Sequence, residues 1–176
     1  MRLSLLLLAV LSLSACSTMG QMAGPMAATA TLSDPEILRV AMTSNEGEII
    51  TSQAVVGETQ NAEVRQFAQD MIAMHTRLNE QGMALGIPPR ENQVSASMTQ
   101  NAAGQAGKIG AASGTAQDMM YIDTQVTLHG HTLTMLDNVL IPNADDARLK
   151  AYLTTARPMV EEHLRRAQRI QHSMMR

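Results

Sequence analysis

The chain has 176 residues with 13 basic and 16 acidic side chains, giving a formal net charge of −3, and this length is typical of a single domain. Its single cysteine excludes an intramolecular disulfide. Because the charges are balanced and form no basic run, the composition argues against nucleic-acid binding. Aromatic residues make up only 2%, and the alanine, leucine and methionine that supply the apolar content favour helices over strands.

Residues 1–15 have the pattern of a lipoprotein signal peptide. Arg2 precedes an apolar stretch that is shorter than the about 20 residues of a transmembrane helix. The stretch ends in Leu13-Ser14-Ala15-Cys16, which is similar to the lipobox of bacterial lipoproteins. We therefore predict that Cys16 becomes the acylated N-terminus and attaches the chain to a membrane; an ordinary signal peptide with a chance cysteine is the alternative. Ser17, by analogy with Gram-negative sorting, favours the periplasmic side of the outer membrane.

The mature chain divides into a tether and a helical domain. Residues 16–33 hold the lipidated cysteine and a segment rich in small residues without apolar periodicity, which is typical of a flexible linker. Residues 34–175 form the helical domain, with long helices predicted over 34–59, 61–85, 113–140 and 145–174. The connection between the second and third helices is long, with at most a short helix near 94–109. This pattern predicts an all-α four-helix bundle of ferritin-like topology.

Each predicted helix places one candidate metal ligand on its apolar stripe: Glu48, His75, His129 and His163. Burial of four ionisable groups is unfavourable unless they are paired or coordinated. Three imidazoles and a carboxylate suit a Zn, Fe or Cu ion. The alternative is a buried network in which these side chains hydrogen-bond to one another or to Gln125, and the sequence favours this network over a metal.

Residue counting from the helix ends limits how many of these ligands meet. His163 lies about 10 Å deeper in the bundle than His129 if the third helix ends at Leu140. We therefore predict that the four residues do not form one site, although two or three of them are easier to bring together. The Glu-x-x-His pairs of di-iron ferritin-like proteins are also missing from the sequence.

Four motifs in chain order resemble a bacterial domain-of-unknown-function family numbered 4142. They are Asn45-Glu46-Gly47-Glu48-Ile49, Val64-x-x-Phe67-Ala68-x-x-Met71-x-x-x-His75, Gly114-x-x-x-Asp118-x-x-Tyr121 followed by His129, and Pro158-x-x-x-x-His163-x-x-x-Ala167. The resemblance covers residues 34–171 and implies an exported or outer-membrane protein with a ferritin-like helical bundle and no established activity. Asp118 and Tyr121 in the third motif, together with Gln125, are candidates for side chains that hold the ligands in place. The family commonly has aspartate where Met74 stands and phenylalanine where Gln117 stands.

The sequence favours a non-enzymatic role. It contains no nucleophile elbow, P-loop or dinucleotide-binding glycines. We expect a lipid-anchored periplasmic helical bundle that acts in the cell envelope as an interaction or stress-related protein, with the membrane and an envelope protein as partners. A metal-binding or metal-handling protein is the alternative, and a ferritin-like oxidase is the least favoured because its carboxylate set is too small.

Overall fold

The computed structural model describes residues 31–176, which form five long helices. They are α1 (Asp34–Val56), α2 (Ala62–Met83), α3 (Gln93–Ala111), α4 (Gly114–Met135) and α5 (Ala147–Met174). The prediction of an all-α bundle is confirmed, with a fifth long helix where the sequence predicts at most a short one, and the ferritin-like topology stays a prediction. The signal peptide, Cys16 and most of the tether lie outside the described residues. Within those residues, no helix combines the length and apolar character needed to cross a membrane.

Side chains just ahead of the helices explain where three of them begin. The Glu36 carboxylate accepts a hydrogen bond from the Ser33 backbone N–H at 2.9 Å, so Ser33 and Glu36 together cap the start of α1. The Asn61 side chain caps α2 by accepting from two backbone N–H groups. Asp146 caps α5 in the same way.

Helix α3 is longer than the sequence predicts, with 19 residues. Its many alanine, glycine and serine residues give no apolar periodicity, but they allow its backbone to approach α1 closely. A Cβ atom built on Gly47 of α1 would lie 3.2 Å from the Ala102 Cβ of α3. Small side chains at this contact therefore replace the apolar stripe as the source of packing.

Helix α4 does not end at Leu140. It continues through a π-helical segment, Leu136–Leu140, and a final α-helical turn, Ile141–Asn143. The Ile141 N–H donates to the carbonyl of Leu136, five residues earlier. Because Pro142 follows at the start of the last turn, its missing N–H does not terminate the helix. The predicted stop before Ile141-Pro142 is therefore wrong by one turn.

The buried apolar residues form two clusters. The first contains Ile37, Leu38, Val40, Ala41, Met42, Leu136, Leu140, Ala144, Leu149, Leu153 and Val160. The second contains Val55, Val64, Phe67, Ala68, Met71, Ile109, Tyr121, Ile122, Ala167 and Ile170. Along α5, Val160 belongs to the first cluster and Ala167 to the second, with His163 between them. A layer of polar side chains thus divides the core of the bundle.

Candidate metal centre

Four helices contribute to this layer, which we call the polar layer and define by six residues. They are Asn45 and Glu48 on α1, His75 on α2, Gln125 and His129 on α4, and His163 on α5. Within α1 and within α4 the two members are three or four residues apart, the spacing that places side chains on one helix face. All but His163 are buried, with at most 6% of their surface exposed.

The three histidines of the polar layer meet in the centre of the bundle. Their ring centroids lie 5.8 Å apart for His75 and His129, 5.5 Å for His75 and His163, and 5.5 Å for His129 and His163. One ring nitrogen from each residue lies within 4.8 Å of the corresponding nitrogens of the other two. His163 is half-buried overall, but its Nδ1 is inaccessible to solvent.

This convergence corrects the predicted depth mismatch between His129 and His163. The prediction counted from Leu140, whereas α4 reaches Asn143 and α5 begins at Ala147. Counted from these ends, His129 and His163 differ in depth by about two residues, or about 3 Å at 1.5 Å per residue. The π-helical continuation of α4 therefore brings the two histidines to the same level.

Each of the three histidines has one buried nitrogen without a partner, and in His75 and His129 the other nitrogen is hydrogen-bonded. The Nδ1 of His75 lies 2.9 Å from Asn45 Oδ1, and the Nδ1 of His129 lies 2.8 Å from the backbone carbonyl oxygen of Gln125. The Nε2 atoms of His75 and His129 and the Nδ1 of His163 are buried and have no hydrogen-bond partner among residues 31–176. Three unpaired imidazole nitrogens therefore stand in one small region.

The spacing of the ligand nitrogens suits one metal ion after a small contraction. A point equidistant from three atoms that are at most 4.8 Å apart lies within about 2.8 Å of each. Zinc–imidazole bonds are about 2.1 Å long. Inward movement of each ring by less than about 1 Å therefore completes the coordination, a displacement that side-chain rotation on the helices supplies.

Burial keeps the three imidazoles in the form that binds metals. It lowers the pKa of His75 well below the ordinary value, and it lowers the pKa values of His129 and His163 to about 4. Repulsion between protonated histidines adds to the effect for His75 and His163. At neutral pH the rings are uncharged, and an uncharged imidazole has a lone pair for coordination.

Glu48 stands beside the histidines rather than between them. Its Oε1 lies 3.5 Å from the Nδ1 of His129, the nitrogen that also contacts Gln125, while its Oε2 is buried without a partner in the described part of the chain. Burial raises the pKa of Glu48 to about 8, opposed by a hydrogen bond from the Gln125 side chain. Glu48 also lines a groove of about 390 Å³ between α1, α3 and α4.

The remaining predicted site residues lie farther along α4. The Gln125 side chain donates to Thr51 Oγ1 at 3.1 Å, and the Tyr121 hydroxyl lies 2.8 Å from Ser52 Oγ. Asp118 is buried with an unpartnered Oδ1, and it lies about 16 Å along the helix from His129. The roles of Asp118 and Tyr121 at the centre stay predictions.

Asn45 is a residue of the polar layer that the sequence-based expectations do not include. It precedes Glu48 by three residues on the helix that carries the only candidate carboxylate, so the same-face spacing was a usable signal. An asparagine oriented toward a histidine supplies an acceptor for the ring N–H, which is a common partner of metal ligands.

Comparison with known proteins identifies the family. The sequence matches the family described as Domain of unknown function (DUF4142) over residues 20–170, most of the chain. The chain belongs to this family. No curated protein and no solved structure shows significant similarity to this DUF4142 protein. The four motifs of the predicted resemblance therefore fall within a confirmed match, and the three histidines belong to the matched region.

Proposed function

We propose that this DUF4142 protein binds one divalent transition-metal ion through His75, His129 and His163. The single observation that supports the proposal is the set of three unpaired, buried imidazole nitrogens that face one another. Leaving a buried polar atom unpaired costs about 1–3 kcal/mol, and native proteins seldom do so without a ligand or water. A metal ion pairs all three nitrogens at once.

The chemistry of the ligands selects the class of ion. Imidazole suits Zn²⁺, Cu²⁺, Ni²⁺ and Fe²⁺, whereas Ca²⁺ and Mg²⁺ prefer oxygen ligands. The centre offers three nitrogens, and its nearest carboxylate, Glu48, faces the Nδ1 edge of His129. We therefore propose Zn²⁺ or Cu²⁺ as the bound ion, with the three histidines as protein ligands and a fourth position left for water or an exogenous ligand.

The proposed setting is the periplasmic face of a bacterial membrane. The lipobox at Cys16 supports lipid attachment, and the lone cysteine of the sequence is explained by it. In this proposal the helical domain stands at the end of a short tether and acts in the envelope as a metal-binding protein. Metal binding thereby replaces the partner-binding role that the sequence alone favours.

The experiment is a metal titration of the mature chain followed by unfolding measurements. Chelator-treated protein is titrated with Zn²⁺ and, separately, Cu²⁺ by calorimetry, and its thermal unfolding is recorded with and without metal. We expect one ion per chain and a stabilisation of about 2.7 kcal/mol at a free metal concentration a hundred times the dissociation constant. Ca²⁺ and Mg²⁺ should leave the unfolding temperature unchanged.

Histidine variants test the site itself. His75→Ala, His129→Ala and His163→Ala should each abolish the metal-dependent rise in unfolding temperature. His131→Ala is the matched control, because His131 lies on α4 two residues after His129 but is exposed to solvent. A wild-type protein that gains no stability from either metal would leave a water-filled hydrogen-bonded network as the explanation of the polar layer and refute the proposal.

A further inference from the structure

At the proposed metal centre, on which this inference rests, a chain of hydrogen-bonded polar side chains passes through Asn45 on α1 and reaches one ligand, His75. Asn45 is 6% exposed and contacts three other side chains. Its Nδ2 donates to Asn79 Oδ1 at 2.8 Å and to the Tyr152 hydroxyl at 3.5 Å, and its Oδ1 lies 2.9 Å from His75 Nδ1. The chain of contacts thus joins α1, α2 and α5 around one amide.

The hydrogen bonds of this chain can be followed in one consistent direction, starting from Tyr152. The Tyr152 hydroxyl donates to the backbone carbonyl of Leu78 at 3.2 Å, so it accepts from Asn45. An asparagine amide has only one nitrogen with N–H groups, and that nitrogen faces Tyr152 and Asn79. The Asn45 oxygen therefore faces His75 and is an acceptor only.

The consequence for His75 is a fixed tautomer. Because Asn45 Oδ1 only accepts, the Nδ1 of His75 must be the protonated nitrogen. A neutral imidazole has one protonated nitrogen, so its Nε2 has a free lone pair. This Nε2 is one of the unpaired nitrogens of the polar layer.

We propose that Asn45, held by Asn79 and Tyr152, is a positioning residue that keeps the Nε2 lone pair of His75 directed at the metal site. His129 obtains the same tautomer from the backbone carbonyl of Gln125, which substitution of a side chain does not remove. Substitution of Asn45 therefore changes the hydrogen bonding of one ligand, His75, while the ligand itself is kept. Loss of such a supporting hydrogen bond typically weakens metal binding by about 10- to 100-fold.

The test combines a tautomer measurement with metal affinity in the mature chain. Long-range ¹H–¹⁵N correlation spectra of metal-free, ¹⁵N-labelled protein report which nitrogen of His75 carries the proton. We expect Nδ1–H in the wild type. Asn45→Leu should release this preference and weaken Zn²⁺ binding by about 10- to 100-fold, whereas Asn45→Asp, which keeps an acceptor for Nδ1, should bind Zn²⁺ as tightly as the wild type or more tightly.

Ser52→Ala is the matched structural control. Ser52 lies on the same helix and is fully buried, and its hydroxyl contacts Tyr121 at 2.8 Å rather than a histidine. We expect lower stability with unchanged Zn²⁺ affinity in this variant. If Asn45→Leu does not fold, the wild-type tautomer and the affinity of Asn45→Asp decide the question.

The outcomes separate this inference from the metal proposal. Absence of Zn²⁺ and Cu²⁺ binding in the wild type refutes the metal site. If the wild type binds metal, an Nε2–H tautomer, an unchanged affinity in Asn45→Leu or a tenfold loss in Asn45→Asp overturns the positioning role of Asn45 while leaving the site in place.

Discussion

His75 on α2 and His163 on α5 lie with their ring centroids 5.5 Å apart, although 88 positions separate them in the sequence. The Nε2 of His75 and the Nδ1 of His163 are both buried without hydrogen-bond partners in the described residues. A pair arranged only for folding would exchange a hydrogen bond. Leaving a buried nitrogen unpaired costs about 1–3 kcal/mol in the metal-free protein, which supports the proposed metal site.

We expect that His163→Leu stabilises the metal-free protein. Leucine removes an unpaired buried nitrogen and joins the two apolar clusters, so the free energy of unfolding should rise by about 1–2 kcal/mol. The variant should also lose all stabilisation by Zn²⁺. Urea unfolding of chelator-treated protein, repeated with metal, checks both results. If His163 instead belongs to a satisfied hydrogen-bonded network, the substitution should lower the free energy of unfolding by about 1–3 kcal/mol.

The pH dependence of stability in metal-free protein should have a maximum near pH 6.5. Below the ordinary histidine pKa of about 6.5, the histidines of the unfolded chain are protonated. In the folded chain, the lowered pKa values keep His129 and His163 neutral down to about pH 4. The unfolded state therefore holds more protons in this window, and stability falls as the pH falls. Asp70 and Glu162 oppose this effect at His163, while Arg166 adds to it.

Glu48 has the opposite effect on how stability depends on pH. Its pKa rises from 4.5 in the ordinary case to about 8 in the fold, so between these values the folded state holds the extra proton and stability falls as the pH rises. Below pH 6.5 the three histidines outweigh this effect, and above it Glu48 acts alone. Glu48→Gln should therefore remove the decline between pH 6.5 and 8 and make the decline below pH 6.5 steeper, because the opposing effect of Glu48 is gone. Denaturant unfolding from pH 4 to 9 measures both limbs, and a decline that persists in the variant contradicts the assignment.

The close contact between α1 and α3 can be tested with two glycine substitutions. Gly47→Val places branched carbon atoms against Ala102, whose Cβ already lies 3.2 Å from the Cβ position of residue 47, and should lower stability by about 1–3 kcal/mol. Gly104→Ala, in α3 with no atom within 4 Å of the added Cβ, should instead raise stability by about 0.5–1 kcal/mol. Equal effects of the two substitutions on urea unfolding would refute close packing as the basis of α3.

Pro158 stands inside α5, which remains helical on both sides of it. We expect Pro158→Ala to leave the domain folded with an unfolding temperature equal to or above that of the wild type, because the new N–H supplies a donor for the Thr154 carbonyl. Far-ultraviolet circular dichroism and thermal unfolding measure these quantities. Loss of most helical signal would show that the proline is required for the packing of α5.

The predicted lipid attachment at Cys16 can be tested by locating the protein in cells. Cys16→Ser should move the protein from the membrane fraction to the periplasmic extract and abolish labelling with a palmitate analogue. Ser17→Ala, which changes the adjacent residue and keeps the thiol, should still be labelled. A Cys16→Ser protein that still pellets with membranes and incorporates the analogue would falsify the anchor.

The sequence alone predicts four of the long helices and places the three histidines of the polar layer on their apolar faces, because apolar periodicity and helix caps are local signals. It underestimated α3, since contacts such as Gly47 with Ala102 depend on small residues rather than on an apolar stripe. It also misjudged the relative depth of His129 and His163. The cause was Pro142, a local stop signal that a preceding π-helical turn overrides.

The bonding of the histidines was beyond sequence reasoning for a different reason. Which nitrogen of His75 is free depends on the direction of a hydrogen bond between Asn45 and Tyr152, residues on different helices and far apart in the chain. Periodicity places side chains on a face, but it does not orient an amide. Ligand candidates are therefore predictable from spacing, whereas their supporting contacts require coordinates.

The π-helical segment, Leu136–Leu140, makes this part of the chain intolerant of changes in length. Its wide turn accommodates one extra residue, so any change in length other than the loss of that residue would rotate everything that follows by about 100° per residue. Leu140 and Ala144 would leave the first apolar cluster. The backbone N–H groups of Asp145 and Asp146 would lose the Asp34 carboxylate, which accepts from them at 2.9 and 2.8 Å. Natural relatives that keep the histidine centre should therefore show substitutions here, and their length should differ by no more than that one residue.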